Sequence, residues 1–128
     1  MKSSIHFAPM LYIDHGISDI SFYTKAFNSV EQFRFSNDDG SLHVAELKID
    51  DAEFHVHEKN HDKGRFTPIE KGVSVTIGLF VDDVHAVFNQ AITAGAKVLS
   101  PVTDYEYGYR QGDLEDPFGH VWTIQKKI

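Results

Sequence analysis

Asp82-Asp83-Val84-His85-Ala86-Val87-Phe88-Asn89-Gln90-Ala91-Ile92-Thr93-Ala94-Gly95 is the stretch whose reading decides the fold. Its apolar residues Val84, Val87, Phe88, Ala91 and Ile92 fall at the spacing of a helix buried along one stripe. Asp82-Asp83 supplies an N-cap whose carboxylate accepts from the free amides of the first turn, and Gly95 can take the left-handed conformation that ends a helix. Before this helix, Val73 to Val81 is a β-prone run. After it, Lys97 to Leu99 forms a short strand stopped by Pro101. Tyr105 to Leu114 is a longer strand interrupted by Gly108 and Gly112, and His120 to Gln125 closes the unit. Asp116-Pro117-Phe118-Gly119 joins the last two, with Asp first, Pro second and Gly last as a type I turn prefers. Along the final strand Val121, Thr123 and Gln125 share one face, while Trp122 and Ile124 share the other, packed under a helix.

The same order occurs earlier in the chain. Phe7 to Ile13 is a strand with Pro9 inside it, so it lies at an edge or begins after the proline. Asp14-His15-Gly16 breaks it. Ile17, Ile20, Tyr23, Ala26 and Phe27 then follow helical spacing, with Asp19 in the first turn and Asn28 as the stop. Val30 to Phe35 and Leu42 to Ile49 flank Asn37-Asp38-Asp39-Gly40 as a hairpin. Asp50-Asp51 turns the chain into Glu53 to Glu58, where Phe54 and Val56 alternate with His55 and His57 and so place both imidazoles on one face. Lys59 to Gly72, rich in charge, Gly and Pro, connects the halves. The chain therefore reads as one α+β domain over 1–128. Repeat one spans about 5–58, the linker about 59–72 and repeat two about 73–126, each repeat being βαβββ at an offset of roughly 65 to 68 residues. Such a duplication yields two half-sheets around a shared cavity, and function is sought among inward-facing strand residues.

Composition narrows the choices. With 128 residues and 41% apolar content the chain can bury a core without staples. It has no Cys, which excludes disulfides and thiolate chemistry and suits a reducing, cytoplasmic compartment. A formal net charge of -7 with twelve scattered basic residues argues against nucleic acid as partner. No stretch is long and apolar enough to span a bilayer, so no membrane role is expected. Phosphate loops, nucleophile elbows and dinucleotide fingerprints are absent; Gly108 and Gly112 have the wrong spacing and no following helix.

Ser21-Phe22-Tyr23 with Ala26-Phe27, Phe80-Val81-Asp82-Asp83-Val84, Tyr107-Gly108-Tyr109-Arg110 and Asp116-Pro117-Phe118-Gly119-His120-Val121-Trp122 together resemble the vicinal oxygen chelate superfamily. This group includes glyoxalase I, bleomycin-resistance and fosfomycin-resistance proteins and extradiol dioxygenases. The likeness covers nearly the whole chain, and the closing stretch is similar to small glyoxalase-like proteins of unassigned activity. The resemblance implies that each βαβββ unit curls into a half-barrel, usually completed across a homodimer with the ligand inside. In metal-dependent members four inward positions hold the ion, typically with His or Glu. Carried through the local motifs, these positions are Ala8, His55, Thr76 and Thr123. A catalytic divalent ion needs about three ligands such as imidazole or carboxylate, and only His55 is one. The expected cofactor is therefore none.

Each candidate has a structural alternative beside its functional one. His55 and His57 form an HxH pair able to grip an ion or a ligand oxygen, or serve as polar residues on a moist or solvated face; His6 becomes a third imidazole if the first strand shifts register by two. Arg110 can clamp a carboxylate or phosphate, or form a salt bridge to Asp104, Asp113 or Glu115. Met10, Tyr12, Phe80, Tyr107 and Tyr109 suit an apolar pocket with hydroxyl handles, although Met10 and Phe80 read more simply as core. His120 is expected to fix its hairpin. His15, His43, His61 and His85 are placed in loops or on helix surfaces, without a role. The leading expectation is a metal-free binder of a small organic molecule in a homodimeric cavity lined by Ala8, Met10, Tyr12, His55, His57, Thr76, Phe80, Tyr107, Arg110 and Thr123. The alternative is a metal-dependent lyase, isomerase or dioxygenase using His55 with His57 or His6.

Overall fold

Two four-stranded mixed sheets carry the chain in a computed structural model that describes residues 4–128. In the first half, β1 (Met10–Ile13), α1 (Phe22–Phe27), β2 (Val30–Ser36), β3 (Leu42–Ile49) and β4 (Ala52–Glu58) give the sheet order β1-β4-β3-β2. The second half repeats it with β5 (Thr76–Phe80), α3 (Val84–Ala94), β6 (Lys97–Tyr105), β7 (Tyr109–Glu115) and β8 (Val121–Lys127), in the order β5-β8-β7-β6. In each sheet the first strand runs parallel to the last, and the remaining neighbours are antiparallel. This is the expected pair of βαβββ half-barrels.

Strand alternation puts Leu11, Ile13, Ala45, Leu47, Phe54, Val56, Leu114, Trp122 and Ile124 on the faces packed against α1 and α3, where they form one continuous core. Among the described residues, no helix covers the opposite face of either sheet. The α3 caps follow from the sequence: Asp83 Oδ1 accepts from Ala86 N at 3.0 Å, and Gly95 takes φ 119°. Among the described residues no helix is long and apolar enough to cross a membrane.

Several elements differ from the sequence expectation. The first helix begins at Phe22 rather than near Ile17, because Asp19 accepts from Ser21 N at 2.9 Å and uses its carboxylate in a tight turn. Ile20 is buried from an irregular segment. β1 starts after Pro9, and β5 is shorter than the apolar run from Val73. β6 continues through Pro101, which an outer strand tolerates because one side of it makes no ladder; register shifts flank Ser100. Tyr105 to Gly108 is a turn rather than the start of β7, with Gly108 at φ 90°. The connector is ordered. It holds a single 3-10 turn, His61–Lys63, and a short α2 (Pro68–Lys71) begun by a capping box in which Thr67 and Glu70 satisfy each other's amides. Those hydrogen bonds, the Thr67 amide first, draw the Glu70 carboxyl down to about 2 against the opposing effect of desolvation, with His61 and Lys59 adding to the fall.

Candidate functional site

The uncovered face of the first sheet is organised in rows that the strand register dictates. Met10 of β1 pairs with His55 of β4, His55 with Glu46 of β3, and Glu46 with Phe33 of β2. The next row is Tyr12, His57, Val44 and Phe35. Met10 is 48% exposed. It is therefore not core, as its apolar character suggested, but part of an open apolar and aromatic surface.

Ionisable groups cluster in the middle of that surface. His55 Nε2 lies 2.9 Å from Glu53 Oε2, two residues back on the same strand face. Glu46, Glu53 and His55 each present a ligand atom, all within 4.8 Å of one another. His6 reaches this cluster from the segment before β1, its Nε2 3.9 Å from Glu53 Oε2, with no shift of strand register. His57 sits beside Tyr12 and His55, with ring centroids 5.8 and 6.0 Å away. Its Nε2 is buried and lacks a hydrogen-bond partner among the described residues. Burial, assisted by His55 and His43, pushes its pKa below the ordinary 6.5 and favours neutral imidazole. Ala8, half-buried, precedes β1.

Further along, Glu58 accepts from His15 and His43, both at 2.8 Å, and from Asn37 at 3.2 Å. Desolvation raises its pKa, but these hydrogen bonds prevail and hold it below 4.5. His43 thus lies on β3 with a partner, neither in a loop nor idle. Glu58, His15 and His43 line an open cavity of about 680 Å³ together with Met10, Tyr12 and His57. A second cavity of about 650 Å³ lies where the halves meet, walled by His6, Phe7, Glu53, Phe54, Leu79 and Trp122.

On the second sheet, Gly78, Thr123 and Asp113 share a row across β5, β8 and β7. Thr123 Oγ1 donates to Asp113 Oδ1 at 2.6 Å. Thr76 is exposed at the start of β5. Phe80, 58% exposed, meets Tyr109 edge-on at 6.2 Å, so it too is surface rather than core. Tyr107 stacks on Tyr105 at 5.3 Å and hydrogen-bonds Gln111.

Arg110 does not belong to this set. It shares the helix-facing side of β7 with Gly112 and Leu114, and it grips Asp104 through Nε at 2.7 Å and Nη2 at 3.1 Å. Its guanidinium holds the Asp104 carboxyl below the usual range, so the salt bridge, not a ligand clamp, is its role. His120 fixes its hairpin through its backbone, its amide donating to Asp116 Oδ1 at 3.0 Å and its carbonyl accepting from Asp116 N at 2.8 Å. Its side chain reaches further: Nε2 lies 2.8 Å from the Tyr12 carbonyl oxygen and ties the second half to the first.

The candidate residues therefore fall into two sets. Met10, Tyr12, His55 and His57 come together on the first sheet, and Thr76, Phe80 and Thr123 lie on the second, with Tyr107 in the turn before β7. Ala8, Thr76 and Thr123 offer a metal a methyl group and two hydroxyls, one of them already given to Asp113. These residues do not fit an ion held across the halves. Glu46 and Glu53 went unrecognised in the sequence. Glu53-x-His55-x-His57 is legible as one strand face, but Glu46 joins it only through the β3–β4 register.

Comparison with known proteins matches the fold. The family model described as Glyoxalase/Bleomycin resistance protein/Dioxygenase superfamily covers residues 6–124. The Mycobacterium tuberculosis protein Rv0887c is 38% identical over 125 residues, 94% of this chain and 74% of its own. An Arabidopsis thaliana gene product of known structure superposes with a TM-score of 0.75 at 27% identity, covering 97% of this chain and 100% of that one. A bleomycin-binding protein in complex with bleomycin has a TM-score of 0.70 at 17% identity, over 98% and 100% of the two chains.

Proposed function

The chain belongs to the glyoxalase/bleomycin resistance protein/dioxygenase superfamily, and on that premise we propose that it binds a small organic molecule, without a metal shared between its halves, in a cavity completed by a second copy. The observation that carries this reading is the division of the pocket-type residues between two open sheet faces. One face offers Met10, Tyr12, Phe33 and Phe35, the other Phe80 with Tyr107 from the turn before β7, and neither is covered by other described residues of the chain. Binding sites for small molecules are concave and mostly apolar, with a few polar handles. Each face supplies half of such a lining, and bringing a second copy against it supplies the other half. Exposed apolar surface of this extent favours association.

The interior chemistry agrees with recognition rather than metal-dependent turnover across the halves, because Thr123 stands where a carboxylate would be needed and is itself bonded to Asp113. The ligand that suits these faces is planar or apolar with an acceptor or donor for Tyr12, His57 and Tyr107. Light scattering is expected to give twice the chain mass. Calorimetric titration with bleomycin and a panel of aromatic metabolites is expected to give saturable heat that Thr123→Trp reduces at least tenfold. A monomer with heats indifferent to Thr123→Trp and to Thr76→Trp would reject the reading.

A further inference from the structure

We propose that the cavity between the open face of the first sheet and the connector receives a small organic anion, its carboxylate or phosphate seated at Arg65 and Lys63. The assignment rests on the small-molecule reading above and adds the sign of the ligand's charge.

The connector forms one wall of the cavity of about 680 Å³ that Met10, Tyr12 and Glu58 line from the sheet. Its loop is fixed by main-chain bonds in both directions between Asn60 and Arg65, at 2.9 and 2.8 Å, and by the Asn60 side chain, which accepts from Lys63 N at 3.3 Å. His61 braces it, stacked on Phe66 at 4.7 Å and 2.8 Å from Glu70 Oε2. On this loop the Arg65 guanidinium is held by Nη1 donating to the Lys63 carbonyl at 2.8 Å. A guanidinium oriented by a neutral carbonyl keeps its charge and most of its donors, and that planar fork matches a carboxylate or a phosphate.

The charges around the cavity leave a positive remainder. Neither Arg65 nor Lys63 forms an ion pair among the described residues, which sets them apart in a chain of net charge -7. Lys59 is answered by Asp14 at 3.0 Å and Glu70 at 3.6 Å. The Glu58 oxygens are occupied by His15, His43 and Asn37. Asp62 is the carboxylate of the lining that remains, one against two cations. His15 and His43 each spend Nδ1 on Glu58 and leave Nε2 without a partner among the described residues, a further donor whenever the ring is charged. A cleft with such an excess draws in anions. Met10 and Tyr12 lie at the same cavity, so an oxyanion at Arg65 leaves the organic part of the ligand over their apolar surface.

The full chain is titrated by calorimetry with phenyl phosphate, benzoate, inorganic phosphate and benzamide, in a buffer free of other multivalent anions. Benzamide, neutral and close in shape to benzoate, reports the aromatic part alone. The expected result is one benzoate or phenyl phosphate per chain, each bound at least about tenfold more tightly than benzamide and weakened as NaCl rises from about 20 to about 200 mM. Arg65→Gln and Lys63→Gln, at exposed positions where unchanged melting temperatures confirm folding, are each expected to weaken the anions about three- to tenfold and to leave benzamide unchanged. Lys97→Gln, exposed on β6, is expected to change nothing. Thr123→Trp, aimed at the organic-ligand reading, is expected to weaken benzamide and benzoate alike, whereas Arg65→Gln acts on anions only, so the two readings fail separately. Inorganic phosphate binding as tightly as phenyl phosphate would overturn the proposal in favour of a free anion. Benzamide matching benzoate, anion affinity that survives both Gln variants, or no saturable heat from either organic anion would overturn it outright.

Discussion

At the scale of single residues, Asp116 does the most for the fold. It is buried, yet its carboxylate accepts from the Tyr23 hydroxyl at 2.6 Å, Trp122 Nε1 at 3.1 Å, and the amides of Phe118 and His120 at 2.9 and 3.0 Å. Four donors replace the water that burial removes, so this buried polar side chain is fully hydrogen-bonded. Burial and the adjacent carboxylate push the Tyr23 hydroxyl well above its ordinary value of 10, so it remains a donor throughout the accessible pH range. Tyr23→Phe removes one charge-assisted hydrogen bond and is expected to cost about 1.5–3 kcal/mol. Asp116→Ala strands every donor at once and is expected to cost about 3–5 kcal/mol. Urea denaturation of both variants checks this; equal, sub-kilocalorie losses would show that the network contributes little. The sequence identified Asp116 as the first residue of a turn, and Gly119 N does return to its carbonyl at 3.0 Å. Its second role was not legible, because Tyr23 is 93 residues distant and no local pattern links them.

Among secondary-structure elements, legibility followed how local the cause was. α3 could be read to its caps, and the β2–β3 hairpin to its turn, because Asp83, Gly95 and Gly40 act within a few residues of themselves. α1 could not, since Asp19 chose a turn over the helix start. Gly112 shows the same limit. In sequence it interrupts a strand, yet β7 runs straight through it without positive φ. The reason for glycine is the helix above: a Cβ there would stand 2.6 Å from Phe88 Cε1 and 3.1 Å from Val102 Cγ2. The missing side chain lets α3 lie close to β7 with Phe88 buried against the sheet. Gly112→Ala should therefore overpack this contact and cost about 1–3 kcal/mol. Phe88→Leu should relieve the clash, so the pair of substitutions is expected to be less destabilising than the sum of the singles in a thermal double-mutant cycle. Strict additivity would mean that the glycine serves some other need.

The whole molecule is more than two copies of a motif, because its halves share one core. Trp122 belongs to the last strand of the second half, but its ring lies 4.7 Å from Phe27, 5.6 Å from Phe54 and 5.8 Å from Tyr23, all of the first. Gln90 of α3 donates to the Lys25 carbonyl at 2.8 Å, and His120 reaches the Tyr12 carbonyl, so helix and strand layers are both tied across the junction. The sequence placed Trp122 under a helix correctly, but alternation could not say that the helix is α1 of the other repeat. It likewise grouped the pocket residues as one lining, whereas the chain keeps them on two separate faces. A core shared in this way makes separate unfolding of one half expensive, since it would expose the indole and three rings to water. One cooperative transition is therefore expected on heating, with fluorescence of the single Trp and far-ultraviolet circular dichroism coinciding. Trp122→Ala removes the link and is expected to cost about 3–5 kcal/mol. Followed by circular dichroism, that variant should show a broadened or split transition. Two resolved steps in the parent chain, or a sharp single step in Trp122→Ala at unchanged temperature, would show that the halves hold together by other means.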